Sequence, residues 1–248
     1  MDKDIKYTKE FYDLDINIER YGKAIDEVGL WNSEKIIFEK YIKKEDKILD
    51  IGCGAGRTTI NLFKNGYKNI IGLDLSTNLI NYAKSYSQEN KLDINFVNGD
   101  ATKLEYDDNT FDAVIFSFNG MQCIPGKKNR DNVLKEVYRV LKPNGVYIFT
   151  AHNRDDSGEY QKFWDEEKIK WENGTQDKNL EIYGDKYSID KTGETCFVHF
   201  SNIEEMKEFI YQQDFEILET TKSTDISEEN EKTKEFANTT VFWVVKKK

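Results

Sequence analysis

Cross-linking and metal-binding side chains are scarce in this chain, which has three cysteines and two histidines in 248 residues. Cys53, Cys123 and Cys196 are odd in number and scattered, which excludes a disulfide framework and a C-x-x-C pair. With so few histidines no Cys/His zinc site is expected, and no metal. Long apolar runs are missing as well. The longest, Val241 to Val245, falls far short of the ~20 residues that cross a bilayer. The opening Met-Asp-Lys-Asp-Ile-Lys lacks the apolar centre of a signal peptide. The expectation is a reduced, cytoplasmic protein with no membrane partner. Positive charge is short too: 36 Lys and Arg face 46 Asp and Glu, a net −10. That balance argues against a broad phosphate-binding surface, and so against nucleic acid as a partner.

What is present is enough for a core. Hydrophobic residues make up 38% and aromatic ones 13%, while 33% charged residues provide a solvated surface. The length fits one sizeable α/β domain with an insertion, or two small domains. The organising stretch is 47–59. Ile48, Leu49 and Ile51 read as a strand buried on both faces. The chain then breaks into Gly52-Cys53-Gly54-Ala55-Gly56 ahead of a helix from Arg57 to Lys64, stopped by Asn65-Gly66. Alternate glycines at a strand end let the backbone turn tightly and let a ligand approach its amides. A dinucleotide loop reads G-x-G-x-x-G; here the spacing is G-x-G-x-G, and Asp50 stands two residues before the first glycine. A carboxylate there opposes a pyrophosphate and suits an ammonium group. A nicotinamide-dependent oxidoreductase therefore ranks low.

The second strand, 69–74, ends on Asp74, which lies 74 − 50 = 24 positions beyond Asp50. Parallel strands joined by a right-handed helical crossover bring such ends side by side, where a carboxylate can accept two hydrogen bonds from a ribose diol. Asp74 and Ser76 also suit the cap of the following helix. The third strand, 93–97, leads to Asp100 and Ala101; the fourth, 111–118, ends at Ser117, Phe118 and Asn119. Ligands of open α/β sheets bind outside such carboxyl ends. A helix at 127–141, the turn Lys142-Pro143-Asn144-Gly145 and a strand to Ala151 follow.

The loop, the acid at 74 and the Leu-Lys-Pro-Asn-Gly turn resemble the class I S-adenosylmethionine-dependent methyltransferases, and the last most resembles small-molecule and quinone methyltransferases. The resemblance covers 47–151 by motif and 201–248 by topology. It implies a doubly wound α/β fold: a mostly parallel seven-stranded sheet with an antiparallel edge and an inserted α/β lid. It implies S-adenosylmethionine as cofactor, with S-adenosylhomocysteine as product. Asp50, Gly52, Cys53, Gly54 and Gly56 would form its loop, Asp74 would hold the ribose, and Leu75 would pack on the adenine. Asp100 and Ala101 would bind the adenine edge, and Ser117 and Phe118 would face the methyl group. The fourth strand ends in neither Asn/Asp-Pro-Pro-Tyr/Phe nor Pro-Cys, which counts against exocyclic base amines, glutamine side chains and cytosine C5 as acceptors.

Outside the matched region, residues 1–30 read as a partly helical arm and 31–151 as the cofactor-binding core. Asn32 or Ser33 caps the core's first helix. Residues 152–200 read as a lid with a short helix and a hairpin that turns at Lys191-Thr192-Gly193, acidic and carrying Trp164 and Trp171. Such a lid would suit an amine or cationic acceptor or a homodimer contact. Residues 201–248 complete the sheet, starting from a capping box at Ser201–Glu204 and including a charged loop at 222–235. For catalysis the sequence offers only His152, as a base, and Asn119, as an orienting group. The reading is methyl transfer by in-line displacement to an N or O atom of a small molecule. The rivals are a protein or RNA methyltransferase and a non-catalytic S-adenosylmethionine-binding module.

Overall fold

Stretches such as Ile48–Ile51 and Phe111–Phe116 are apolar without alternation because successive residues feed opposite, equally covered faces of one sheet. Leu49, Val114, Phe149 and Trp243 pack in one core layer, and Ile48, Ile115, Ile148 and Val244 in the other. The computed structural model describes residues 3–156, 158–189 and 193–248. Its strands are β1 (Ile48–Ile51), β2 (Ile70–Asp74), β3 (Asn95–Asn98), β4 (Phe111–Phe116), β5 (Leu141–Ala151), β6 (Asp185–Ile189), β7 (Thr195–His199), β8 (Phe215–Lys222) and β9 (Val241–Lys247). Seven of them form one sheet in the order β3-β2-β1-β4-β5-β9-β8, and β6 pairs with β7 apart from it. The first five run parallel, while β9 is antiparallel to both β5 and β8. The order reverses between β1 and β4, so a crevice opens outside the carboxyl ends of these strands.

The helices are α1 (Lys3–Tyr12), α2 (Asp15–Glu27), α3 (Asn32–Tyr41), α4 (Arg57–Lys64), α5 (Thr77–Glu89), α6 (Lys127–Val140), α7 (Gln161–Glu172), α8 (Ile203–Ile210), α9 (Ser223–Ile226) and α10 (Glu231–Phe236). Three local expectations change. Asn32 and Ser33 do not cap α3: their amides donate to the carboxylate of Glu229, each at 2.8–2.9 Å, and the Asn32 side chain bonds Glu228 instead. The capping box of α8 is Asn202–Glu205, one residue later than Ser201–Glu204, because the Ser201 carbonyl is taken by the Arg154 amide. The charged loop at 222–235 is folded into α9 and α10, with Glu229 fixed on α3 and Phe236 turned inward. The insertion has the expected helix and hairpin; the turn at Lys191 and Thr192 lies outside the described residues.

Candidate functional site

The crevice is a cleft of about 1090 Å³, counted with its open mouth. Its floor is the glycine loop, where tight geometry decides residue identity. Gly52 has φ +63°, and a Cβ there would fall 2.3 Å from the Phe116 ring; one at Gly120 would fall 1.9 Å from the same ring. Phe116 is thus wedged between the loops after β1 and β4. At Gly54 a Cβ would meet nothing within 4 Å. The backbone there is open to the cleft, with space for a ligand to lie against it.

Two carboxylates end the strands beside this loop. Asp50 is 1% exposed; one oxygen accepts from the Thr59 hydroxyl at 2.6 Å, while Oδ1 is buried with no partner. Burial pushes its pKa up to about 7, against the pull of Thr59 and Arg57. Asp74 accepts from the Ser76 and Gly54 amides, both at 2.8 Å, so it ties the glycine loop to the start of α5. Burial raises its pKa to about 6, and those two amides limit the rise. Leu75, Asp100, Ala101, Cys53, Ser117 and Phe118 line the same cleft. One Asp100 oxygen accepts from the amide and hydroxyl of Thr102, which fixes its turn. Burial raises the Cys53 thiol well above its usual range, which keeps it inert. Every anticipated cofactor residue falls in or beside the cleft.

The other end is roofed by two aromatics of the N-terminal arm, for which the resemblance implies either closing over the site or stapling the arm to the domain, and by residues with no expected role. Tyr12 and Tyr21 of the arm, Cys123, Ile124 and Pro125 after β4, and Phe236 of α10 close it. Phe236 stacks on Phe118 at 4.7 Å, and Tyr21 stands edge-on to both. Among the contacts that hold the arm, the Ser76 hydroxyl donates to Asp13 at 2.6 Å, the Tyr7 hydroxyl donates to the Thr195 carbonyl of β7 at 2.9 Å, and the Asn61 side chain donates to the Ile25 carbonyl at 2.9 Å. No described residue of 152–200 lines the cleft. Trp164 instead packs in the insertion against Phe163, Tyr183 and Phe200. The insertion touches the arm, through the Tyr7–Thr195 bond and the edge-on Tyr7–Tyr187 ring pair.

Arg57 was also missed. It lines the cleft and makes a buried two-point pair with Glu34, both contacts at 2.7 Å, and donates to the Gly29 carbonyl. A lone arginine after a glycine loop carries no sign of a partner 23 residues earlier. Asn119 and His152 meet each other at 3.1 Å but stand behind the cleft wall. Burial holds His152 below its usual pKa. Among the described residues no group of three His, Cys, Asp or Glu could hold a metal, and no helix is long and apolar enough to cross a membrane.

Residues 48–145 match the family described as a methyltransferase domain. The chain is 34% identical over 149 residues to a demethylmenaquinone methyltransferase of Staphylococcus carnosus, a match covering 58% of each protein. It is 29% identical to an uncharacterised protein of Methanocaldococcus jannaschii across 86% of this chain and 77% of the other. A solved S-adenosylmethionine-dependent methyltransferase of Methanosarcina mazei superposes with TM-score 0.70 at 23% identity, covering 88% of this chain and 98% of that one. The chain spans a quarter to just over half of the length of the named curated methyltransferases it first matches.

Proposed function

With a methyltransferase domain of the class I fold at residues 48–145 as premise, we propose that the chain binds S-adenosylmethionine and transfers its methyl group to a nitrogen or oxygen of a small molecule. The carrying observation is the floor of the cleft: a buried, unpartnered oxygen of Asp50 beside the open backbone of Gly54, with Asp74 20 positions after Gly54 and bonded to it. Asp50 would take the ammonium of the amino acid part. Asp74 keeps lone pairs beyond its two backbone bonds for a ribose diol. Leu75, Asp100 and Ala101 would hold the adenine, and Ser117 and Phe118 would flank the methyl. The bound cofactor supplies a methyl already activated on a sulfonium; the chain's part is alignment and exclusion of water.

The roofed end favours one kind of acceptor. Its walls are mostly aromatic and aliphatic, and among its polar groups the Tyr12 hydroxyl and the Cys123 thiol are kept protonated by burial. Among the described residues that close that end, none carries a carboxylate or an imidazole to remove a proton. The acceptor must therefore bring a free lone pair, as an uncharged amine or as a hydroxyl acidic enough to ionise near neutral pH. With none of the insertion's described acids lining the cleft, the aromatic rings are what would attract a cation at the roofed end.

Calorimetric titration with S-adenosylmethionine, S-adenosylhomocysteine and NAD tests the cofactor. Binding of the first two alone is expected; silence from both ends the proposal. A methyl-transfer screen of amines and acidic phenols then tests the acceptor. Turnover confined to strongly basic, permanently protonated amines would overturn the lone-pair argument.

A further inference from the structure

Phe118 and Asn119 are consecutive non-glycine residues in the left-handed region, at φ +53° and +60°. A bulky aromatic residue rarely adopts this conformation, and it persists only where the surroundings enforce it. The Phe118 ring packs against Trp31, Tyr21 and Phe236, while the polar contacts of the turn's side chains converge on Asn119. Its amide donates to the Thr150 hydroxyl at 2.8 Å, and its Oδ1 accepts from the Thr240 hydroxyl at 2.5 Å. Its Nδ2 meets His152 Nε2 at 3.1 Å. His152 is itself fixed. Gln122 bonds its backbone in both directions, at 2.6 and 2.9 Å, and Phe200 stacks on its ring at 5.4 Å. The backbone of Thr239 hydrogen-bonds the imidazole, which leaves Nε2 as the acceptor that the Asn119 amide requires.

We propose that Asn119, His152 and Thr240 are positioning residues. Together they hold the Phe118–Asn119 turn so that the Phe118 ring projects into the roofed end of the cleft, where it stacks on Phe236. They set the width of the acceptor slot without touching the acceptor. The network joins the ends of β4 and β5, the start of β9 and the root of the insertion, so the insertion acts on the cleft through Phe118. This assignment rests on reading that end as the acceptor end, and it gives roles to two side chains that stand behind the wall.

The test is NMR on ligand-free protein labelled in phenylalanine, with Phe118 signals assigned by their loss in Phe118→Leu. Ring-to-ring cross-peaks between Phe118 and Phe236 are expected in the parent. They should fall at least twofold in Asn119→Ala and in Thr240→Val. They should persist in Phe215→Leu, a control truncation at the far end of β8 that destabilises the core without touching the network. Undiminished cross-peaks in Asn119→Ala would overturn the proposal, and so would equal loss in Phe215→Leu. Calorimetry with S-adenosylhomocysteine on the same proteins separates the two ideas. The parent's failure to bind it refutes the cofactor reading, whereas the ring contacts are decided without any ligand.

Discussion

Asp50 and Asp74 share a strand-end position but differ in what the fold leaves them to do. Asp50 retains an oxygen with no partner and a pKa near 7; in an unfolded chain it would titrate near 3.9. Between those values the folded state keeps a proton that the unfolded state has lost, so this residue's contribution to stability falls as pH rises from about 4 to about 7. Asp50→Asn should therefore unfold at higher urea than the parent at pH 8, by on the order of a few kcal/mol, with little difference at pH 4.5. The same variant should bind the cofactor more weakly. An ammonium placed on Asp50 also lowers its pKa, so cofactor binding at pH 6.5 should release protons, seen as a dependence of binding heat on buffer ionisation enthalpy. At Asp74, replacement by alanine removes bonds to a charged acceptor worth about 1.5–3 kcal/mol each. Unchanged affinity by calorimetry would exclude the ribose role. Both acids were legible in the sequence because strand ends and glycines have fixed spacing. Phe236 was not: it sits at the end of a run of Glu and Lys that reads as solvated loop, and the run is folded inward by Glu228 and Glu229 meeting α3 and by Ile226 packing on the core.

At the scale of elements, the buried Arg57–Glu34 pair ties the start of α4 to the start of α3, just behind the glycine loop. Removing one partner of such a pair leaves an uncompensated buried charge and costs about 3–5 kcal/mol. Arg57→Ala should lose that much in urea unfolding, and Arg57→Met combined with Glu34→Gln should recover much of it. The arm behaves differently. Asp13 caps α5 from outside the core: the Asn78 amide also donates to it, and Lys9 pairs with it. Asp13→Ala should lower the unfolding midpoint modestly while S-adenosylhomocysteine dissociates several-fold faster in stopped flow. The periodicity of 1–30 gave helical character but no direction. Where α1 lies depends on Asp13 meeting Ser76, 63 residues away, and on Tyr7 meeting Thr195, 188 residues away, and α2 is placed by Ile25 packing against Ile60, Leu79 and Ile80. Short-range patterns carry no record of such contacts. The insertion shows the same limit. Its helix and hairpin follow from local pattern, but which face of the protein its tryptophans meet does not.

For the whole molecule, ligand binding to the folded state alone should show as stabilisation. At one hundred times its Kd, S-adenosylmethionine adds about 2.7 kcal/mol, which in a chain of this length raises Tm by roughly 5–10 °C. NAD at the same concentration should leave Tm unmoved. The sheet order has one more consequence, for the timing of folding during synthesis. The strand made last in the sheet, β9, lies between β5 and β8, and Val241 to Val245 are buried along it. Until the ribosome has released that segment, β5 offers an open apolar edge and β8 has no neighbour to pair with. A nascent chain paused before Thr239 would carry the cofactor loop already built, yet expose a sticky strand edge that chaperones must shield.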